Sequence, residues 1–286
     1  VKVFNTPAQR TKELQGVLFS LYNDAYLAAT FDSLVKDSLT LKAYLHHGER
    51  YQWASLSKGN ADEGLLSQFG FRQKLFTRTP FYYKDALKLM DRIVTFYENH
   101  GYPFAEVRLD SIKFNGAQIA AALNVQKNRM ETIDSIVVKG SLKLSAQYLY
   151  GYLGIKPGDP YNESKIRAIS GRLKALPFLS ETKPLQVVFI EDKVKILLYL
   201  GKKSADQFNG IVGVLPNSQG KINITGDISL QLQNSFHHAE EIGFHWQHVQ
   251  AQTENLTAHF SYPYLLKTPL GVDEDFKLYK QDTTYV

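Results

Sequence analysis

The chain has no cysteine in its 286 residues. Disulfides and cysteine-based zinc sites are therefore excluded. It also lacks any run near the ~20 apolar residues that a membrane-spanning helix needs. A helical membrane protein is excluded on that ground. A membrane β-barrel is not, because its alternating strands average out to polar. No signal peptide is visible at the first residue, and VKVFNTPAQR reads as the middle of something.

Concentrated charge is missing too. The net charge is +5, yet the lysines and arginines are scattered, and Lys202-Lys203 is about as dense as they become. A nucleic-acid binder gathers its charge into a patch or stripe, so no nucleic-acid partner is expected. Catalytic constellations are equally absent. His245 and His248 form H-x-x-H, but positions three apart on a strand point to opposite faces and cannot chelate together. His245 and His259 fall on the polar faces of neighbouring predicted strands, where a structural pair is the expectation. His46-His47 and His237-His238 sit at or near turns. GDISL and GVLPNSQG contain Gly and Ser but form neither a nucleophile turn nor a phosphate loop. The expectation is no enzyme, no cofactor and no metal.

Hydrophobic residues make up 44% and charged residues 21%, a globular balance. Within it lies a repeat. Ile166, Ile169 and Leu173 are spaced as one helical face. The same face recurs 76 residues earlier as Met90, Ile93 and Tyr97, and again as Leu14, Val17 and Leu21. The aromatic just beyond each helix keeps the period: Phe178, Tyr102 and Tyr26. Such self-similarity marks an array of units.

The flanks extend the unit. Asn162 is the predicted N-cap of the last helix, and Thr79-Pro80 the predicted start of the middle one. His100-Gly101 ends the middle helix. Two strand-like runs follow each helix: about 26–35 and 39–46, then 102–114 and 117–127, then 184–191 and 193–200. Asn115-Gly116 and Glu191-Asp192 supply tight turns. A strand ending in Lys-Gly precedes the last two units, in ASLSKGN (54–60) and DSIVVKGS (134–141). The order strand, short helix, long helix, strand, strand can bury one sheet face under two helices. The first copy has no room for its leading strand and reads as partial.

After Asp206 the helical period disappears. In KINITGDISLQLQ (221–233), Ile222, Ile224, Gly226, Ile228, Leu230 and Leu232 face one way, and the polar residues between them face the other. NLTAHFSYPY (255–264) repeats this, with Leu256, Ala258, Phe260, Tyr262 and Tyr264 against Asn255, Thr257, His259, Ser261 and Pro263. These runs exceed the ~5–6 residues usual in globular sheets and match the ~9–11 of a tilted strand crossing a bilayer. A soluble sandwich sheet with one wet face makes the same alternation. Length and aromatic ends favour the membrane. About five strands are expected, near 207–215, 220–234, 239–252, 254–265 and 273–286. Five are too few to close a barrel.

The segment IDSIVVKGS…LPFLSETKPLQVVF, with its Lys-Gly, the Gly158-to-Tyr161 turn and the Leu-Pro-Phe after the helix, resembles a barrel-proximal POTRA module of the BamA/TamA family. HGYPFAEV (100–107) is similar to the matching stretch of a preceding module, and FSYPYLLKTPLGVDEDFKLYKQDTTY to two barrel strands and their turn. The resemblance implies α+β POTRA repeats (β-α-α-β-β) followed by the N-terminal antiparallel strands of a transmembrane β-barrel. It divides the chain into a partial module at 1–50, a module at 51–128, a barrel-proximal module at 129–204 and barrel strands at 205–286.

The family further implies an outer-membrane assembly factor with its modules in the periplasm. Its partners would be unfolded outer-membrane protein clients, periplasmic accessory proteins or chaperones, and outer-membrane lipid. Clients would add a strand to the module edge at Leu185, Gln186, Val187, Val188 and Phe189. The gate would be the first barrel strand: Phe208, Asn209, Gly210, Ile211, Val212, Gly213 and Val214. Gly210 and Gly213 either weaken that strand or ease the turn from module to barrel. The lipid-facing set would be Ile224, Ile228, Leu230, Leu256, Phe260 and Tyr262. Two other readings compete: a two-partner secretion transporter for a dedicated exoprotein, and a barrel anchor for an N-terminal passenger domain.

Overall fold

Lys-Gly ends the leading strand of each complete module because a side chain has no room there. In the computed structural model, a Cβ on Gly59 would lie 1.8 Å from the Leu123 carbonyl oxygen, and one on Gly140 2.3 Å from that of Leu200. Both glycines also have positive φ, +54° and +116°, which only glycine adopts freely. The next residue completes the junction. Asn60 exchanges two hydrogen bonds with the backbone of Val125, at 2.9 and 2.7 Å. The structure describes residues 2–37, 40–216, 222–250, 253–265 and 268–281, with backbone alone at 215, 249 and 250. It forms two compact units, Val1–Arg129 and Met130–Val286.

The first unit opens with α1 (Pro7–Asn23) and the hairpin β1 (Thr30–Lys36) and β2 (Leu41–His46). Then come β3 (Gln52–Ser57), α2 (Glu63–Gln68), a 3-10 turn (Gln73–Phe76), α3 (Tyr83–Glu98), β4 (Glu106–Asn115) and β5 (Gln118–Gln126). The sheet order is β3-β5-β4, with β3 parallel and β4 antiparallel to the central β5. The second unit begins with β6 (Thr132–Lys139), α4 (Ala146–Leu153), α5 (Glu163–Lys174), β7 (Leu179–Ile190) and β8 (Lys193–Lys202). Its order, β6-β8-β7, has the same strand directions. Two modules of one topology are therefore present.

Each module buries one sheet face under its long helix. Ile93 and Tyr97 of α3 meet Trp53 and Leu123, while Ile169 and Leu173 of α5 meet Val194 and Ile196. The 76-residue period thus holds at the deepest positions. It loosens at Met90, which is half-buried because Leu89 and Ala86 take the buried places that Ile166 holds in α5. Tyr102 is half-buried where Phe178 is buried. In the first copy no residue of α1 is buried. The loop after it still repeats the later geometry: Tyr26 N donates to Leu21 O at 2.9 Å and Ala29 N to Tyr26 O at 3.1 Å, as Tyr102 N does to Tyr97 O at 3.0 Å and Ala105 N to Tyr102 O at 3.1 Å.

Helix starts divide by chemistry. Asn162 caps α5, its side-chain oxygen accepting from Lys165 N at 2.9 Å. Thr79-Pro80 does not start α3. Trp53 N donates to Thr79 O at 2.8 Å and Gln52 bridges Pro80, so this segment is drawn against β3 and the helix begins three residues later. Pro160 bridges Thr132 in the same way. Asn115-Gly116 and Glu191-Asp192 turn as expected, with Gly116 at φ 56° and Glu191 at φ 51°.

Five long strands follow in the second unit: β9 (Gln207–Pro216), β10 (Ile222–Gln233), β11 (Glu241–Gln250), β12 (Thr253–Tyr262) and β13 (Val272–Lys280). They form one antiparallel sheet in chain order. The expected strand near 239–252 begins at 241 because 234–240 is a structured turn, and residues 282–286 of the expected last strand lie outside the described residues.

Candidate functional site

The second unit offers the predicted strand edges β7 and β9, beside the opposite edges β6 and β13, a two-faced sheet and the joint between module and sheet. The predicted module edge is β7, which lies outermost in its sheet opposite β6. It is interrupted by register shifts at Glu181/Lys183 and Lys183/Gln186, around Pro184. Proline lacks a ladder donor and is tolerated on an edge. Beyond Pro184 the ladder runs unbroken from Gln186 to Ile190. Leu185, Val187 and Phe189 pack against the core, whereas Gln186 is exposed. The predicted edge residues thus lie together on β7, with Leu185, Val187 and Phe189 pinned and one backbone edge outermost.

The second edge is β9. Its register with β10 is uninterrupted over ten pairs, from Pro216↔Ile222 to Gln207↔Gln231. Among the described residues no strand lies on its other side. Gly210 and Gly213 sit inside this ladder, opposite Ile228 and Thr225, and neither has a positive φ. They are therefore strand residues and do not ease a turn. A Cβ at Gly210 would meet Phe208 Cζ at 3.3 Å, and one at Gly213 would meet Thr225 Oγ1 at 3.2 Å. Phe208, Ile211, Val212 and Val214 are all exposed.

Register sorts the sheet into two faces. Ile224, Ile228 and Leu230 of β10 share one face with Val214, Trp246 and Phe244 opposite them. Leu256, Phe260 and Tyr262 of β12 continue it, opposite Trp246, Ile242 and Val272. Ile224, Phe244 and Phe260 on this face are exposed. The other face is a hydrogen-bonded polar layer. His245 Nε2 and Gln247 Nε2 lie 2.9 and 3.0 Å from the two Asp227 oxygens. His259 Nδ1 lies 3.0 Å from Asp275 and 3.7 Å from Asp273, and Gln231 Nε2 donates to Glu241 at 2.7 Å. His245 and His259 do not meet, because each has its own aspartate and the register places Thr257 opposite His245. His248 faces the apolar side, opposite Gly226, as the spacing required.

The joint has three anchors. At the linker, Lys203 N donates to Phe178 O at 3.0 Å, and Gln233 N donates to Asp206 Oδ1 at 3.0 Å. The turn between β10 and β11 is the second. Glu240 is 1% exposed, and its carboxylate accepts from the backbone N–H of Phe236 and of His238. Asn234, also buried, accepts from Ala239 N at 3.0 Å and donates to Lys143 O at 3.2 Å, while Ser145 N donates to His237 O at 2.8 Å. The turn is thereby fastened to the start of α4.

The third anchor is the turn between β12 and β13. Tyr264 stands there at φ 55° and packs its ring on Tyr148 at 5.6 Å, edge to face. Gln147 Nε2 donates to Tyr264 O at 3.3 Å. Tyr264 is therefore a module contact and not part of the strand face to which its even number assigned it. Burial pushes the Tyr148 hydroxyl well above the ordinary tyrosine range, with Tyr152 and Tyr264 adding to it. None of these residues has a docking role legible in the sequence. Asn234, His237 and Ala239 all have positive φ, a signal that only the folded backbone carries.

Comparisons with known proteins bear on the module at 131–200 and on the fold. The family description "POTRA: Surface antigen variable number repeat" matches residues 131–200. No curated protein matches the chain. Among solved structures, BamA from Haemophilus ducreyi lacking POTRA domains 1–3 superposes with a TM-score of 0.52 at 15% identity, over 78% of this chain and 42% of that one. The chain thus spans under half the length of that relative. Haemophilus influenzae BamA POTRA3–5 gives 0.46 at 20% identity over 70% and 83%, and CdiB from Escherichia coli 0.40 at 16% over 92% and 49%.

Proposed function

We propose, for a chain whose residues 131–200 are a POTRA domain and whose fold is BamA-like, an outer-membrane assembly and insertion factor with periplasmic modules. It works without catalysis. Unfolded β-barrel clients add a strand to the edge of β7, where backbone hydrogen bonds give affinity without demanding a sequence. They then pair with β9, which acts as a lateral gate. The apolar face carrying Ile224, Ile228 and Phe260 meets lipid, and the Asp227 and His259 face lines the polar interior.

The observation that carries this reading is the BamA-like fold, in which β9 follows the module directly and is held to β10 by an unbroken ten-pair ladder. A firm inner edge lets the outer edge exchange partners while the strand stays in place. The energy comes from the hydrogen bonds and apolar burial of the client's own strand.

Single cysteines test it cleanly, because the chain has none of its own. Cross-linking to an assembling outer-membrane protein is expected at Asn209, Ile211 and Gly213 of β9 and absent at Ser229 and Gln231 of β10. Equal labelling of both strands removes the gate. Cross-links only to a single exported partner would favour the secretion transporter.

A further inference from the structure

The two complete modules differ at one corner. After α4 the chain turns at Gly154, which is left-handed at φ 64°, and reaches Pro160 directly. After α2 it turns at Gly70, φ 73°, and then inserts the 3-10 turn Gln73–Phe76 before Pro80. This insertion is fixed in place. Phe76 is buried against Trp53 at 5.6 Å and Phe71 at 5.7 Å. The Thr77 and Thr79 hydroxyls donate back to Gln73 O and Leu75 O, each at 2.9 Å.

With Phe76 turned inward, Leu75 is left 58% exposed. It stands at the mouth of a cavity of about 200 Å³ lined by Phe69, Phe71, Leu89 and the stems of Lys88 and Arg92. That is below the ~300–1,000 Å³ of a small-molecule site and suits one inserted side chain. The rim is cationic. Arg72, Lys74, Lys88 and Arg92 are exposed, and among the described residues none has a carboxylate within ion-pair distance. Asp85 is the one acid among the lining residues.

In the sibling module an aromatic ring from another element packs on the short helix: Tyr264 lies against Gly151 and, with Tyr150, Pro157 and Pro269, lines a neighbouring cavity. We propose that the corner of the first unit between Phe71, Leu75 and α3 is a docking site for an acidic polypeptide segment that inserts one aromatic side chain. Charge complementarity with the Arg72, Lys74, Lys88 and Arg92 rim selects the segment, and the aromatic anchor supplies the burial.

The test uses the full-length protein in detergent and a short fluorescein-labelled peptide of Glu and Asp around a central Phe. Saturable binding by anisotropy is expected. It should weaken roughly tenfold or more in Leu75→Glu, in the pair Lys88→Glu/Arg92→Glu, and when the peptide's Phe is Ala. The pair Arg108→Glu/Lys113→Glu on β4, with the same change of charge, should leave it within about twofold. No binding overturns the proposal. So does equal loss in the β4 pair, or indifference to the Phe, either of which would reduce the effect to bulk charge. Phosphatidylglycerol vesicles that bind in a Leu75-dependent way while the peptide does not would make the partner a membrane, and would overturn it as well.

Discussion

The ring of Tyr264 occupies the space of the side chain that Gly151 lacks: a Cβ on Gly151 would lie 2.5 Å from Tyr264 Cδ1. Helix α4 and the β12–β13 turn are thus coupled through a glycine. Gly151→Leu is expected to expel the ring and cost about 1–3 kcal/mol, as overpacking does. In that background Tyr264→Ala should cost less than it does alone. A double-mutant cycle by chemical denaturation measures the coupling, and strictly additive costs would mean that the contact carries nothing.

Tyr148 gives the same joint a pH dependence. Its hydroxyl is held above the ordinary tyrosine range by burial, so the unfolded chain loses that proton first. A raised folded pKa contributes stability that is complete below the unfolded value of about 10 and is lost as pH climbs through the folded one. Melting temperatures should therefore fall between pH 9 and pH 12 (roughly the window set by that unfolded value), and fall less in Tyr148→Phe. Identical slopes for the two proteins would show that Tyr148 ionises freely.

A Lys-Gly junction and a mid-helix glycine predict opposite signs. Gly140→Ala meets both a strained φ of +116° and the Leu200 carbonyl, and is expected to cost more than about 2 kcal/mol. Gly171, inside α5 with nothing within 4 Å of its Cβ position, should gain about 0.5–1 kcal/mol on becoming alanine. Urea titrations of the two variants check this.

The sheet faces separate by charge tolerance. Ile228→Arg in the full-length protein should cost about 2–4 kcal/mol if Ile228 lies near the bilayer midplane. Ser229→Arg, one residue on and on the polar face, should cost far less. Heat-modifiable migration after folding into lipid vesicles compares them, and equal penalties would mean that the faces do not divide lipid from interior.

Much of this was legible beforehand. The period linking Ile93 to Ile169 and Tyr97 to Leu173 is a packing period, and packing repeats in sequence. The alternation of 221–233 gave strand faces because side-chain direction on a strand has period two. What sequence could not supply was contact between distant turns. Glu240 looks like any turn acid until two backbone N–H groups converge on it. Tyr264 continues an alternating run by number, yet its positive φ takes it out of the strand. The start of α3 was misplaced because Pro80 satisfies a strand bridge before any helix begins.

The central claim is that a client strand pairs with the outer edge of β9. The most direct measurement fixes one cysteine at Ile211 and walks a second along the terminal strand of an assembling client, scoring disulfide yield at each step. Strand pairing predicts a maximum at one register with yields alternating every second residue, since neighbouring side chains face opposite ways. A flat profile along the client strand, or none above the Ser229 control, would contradict it.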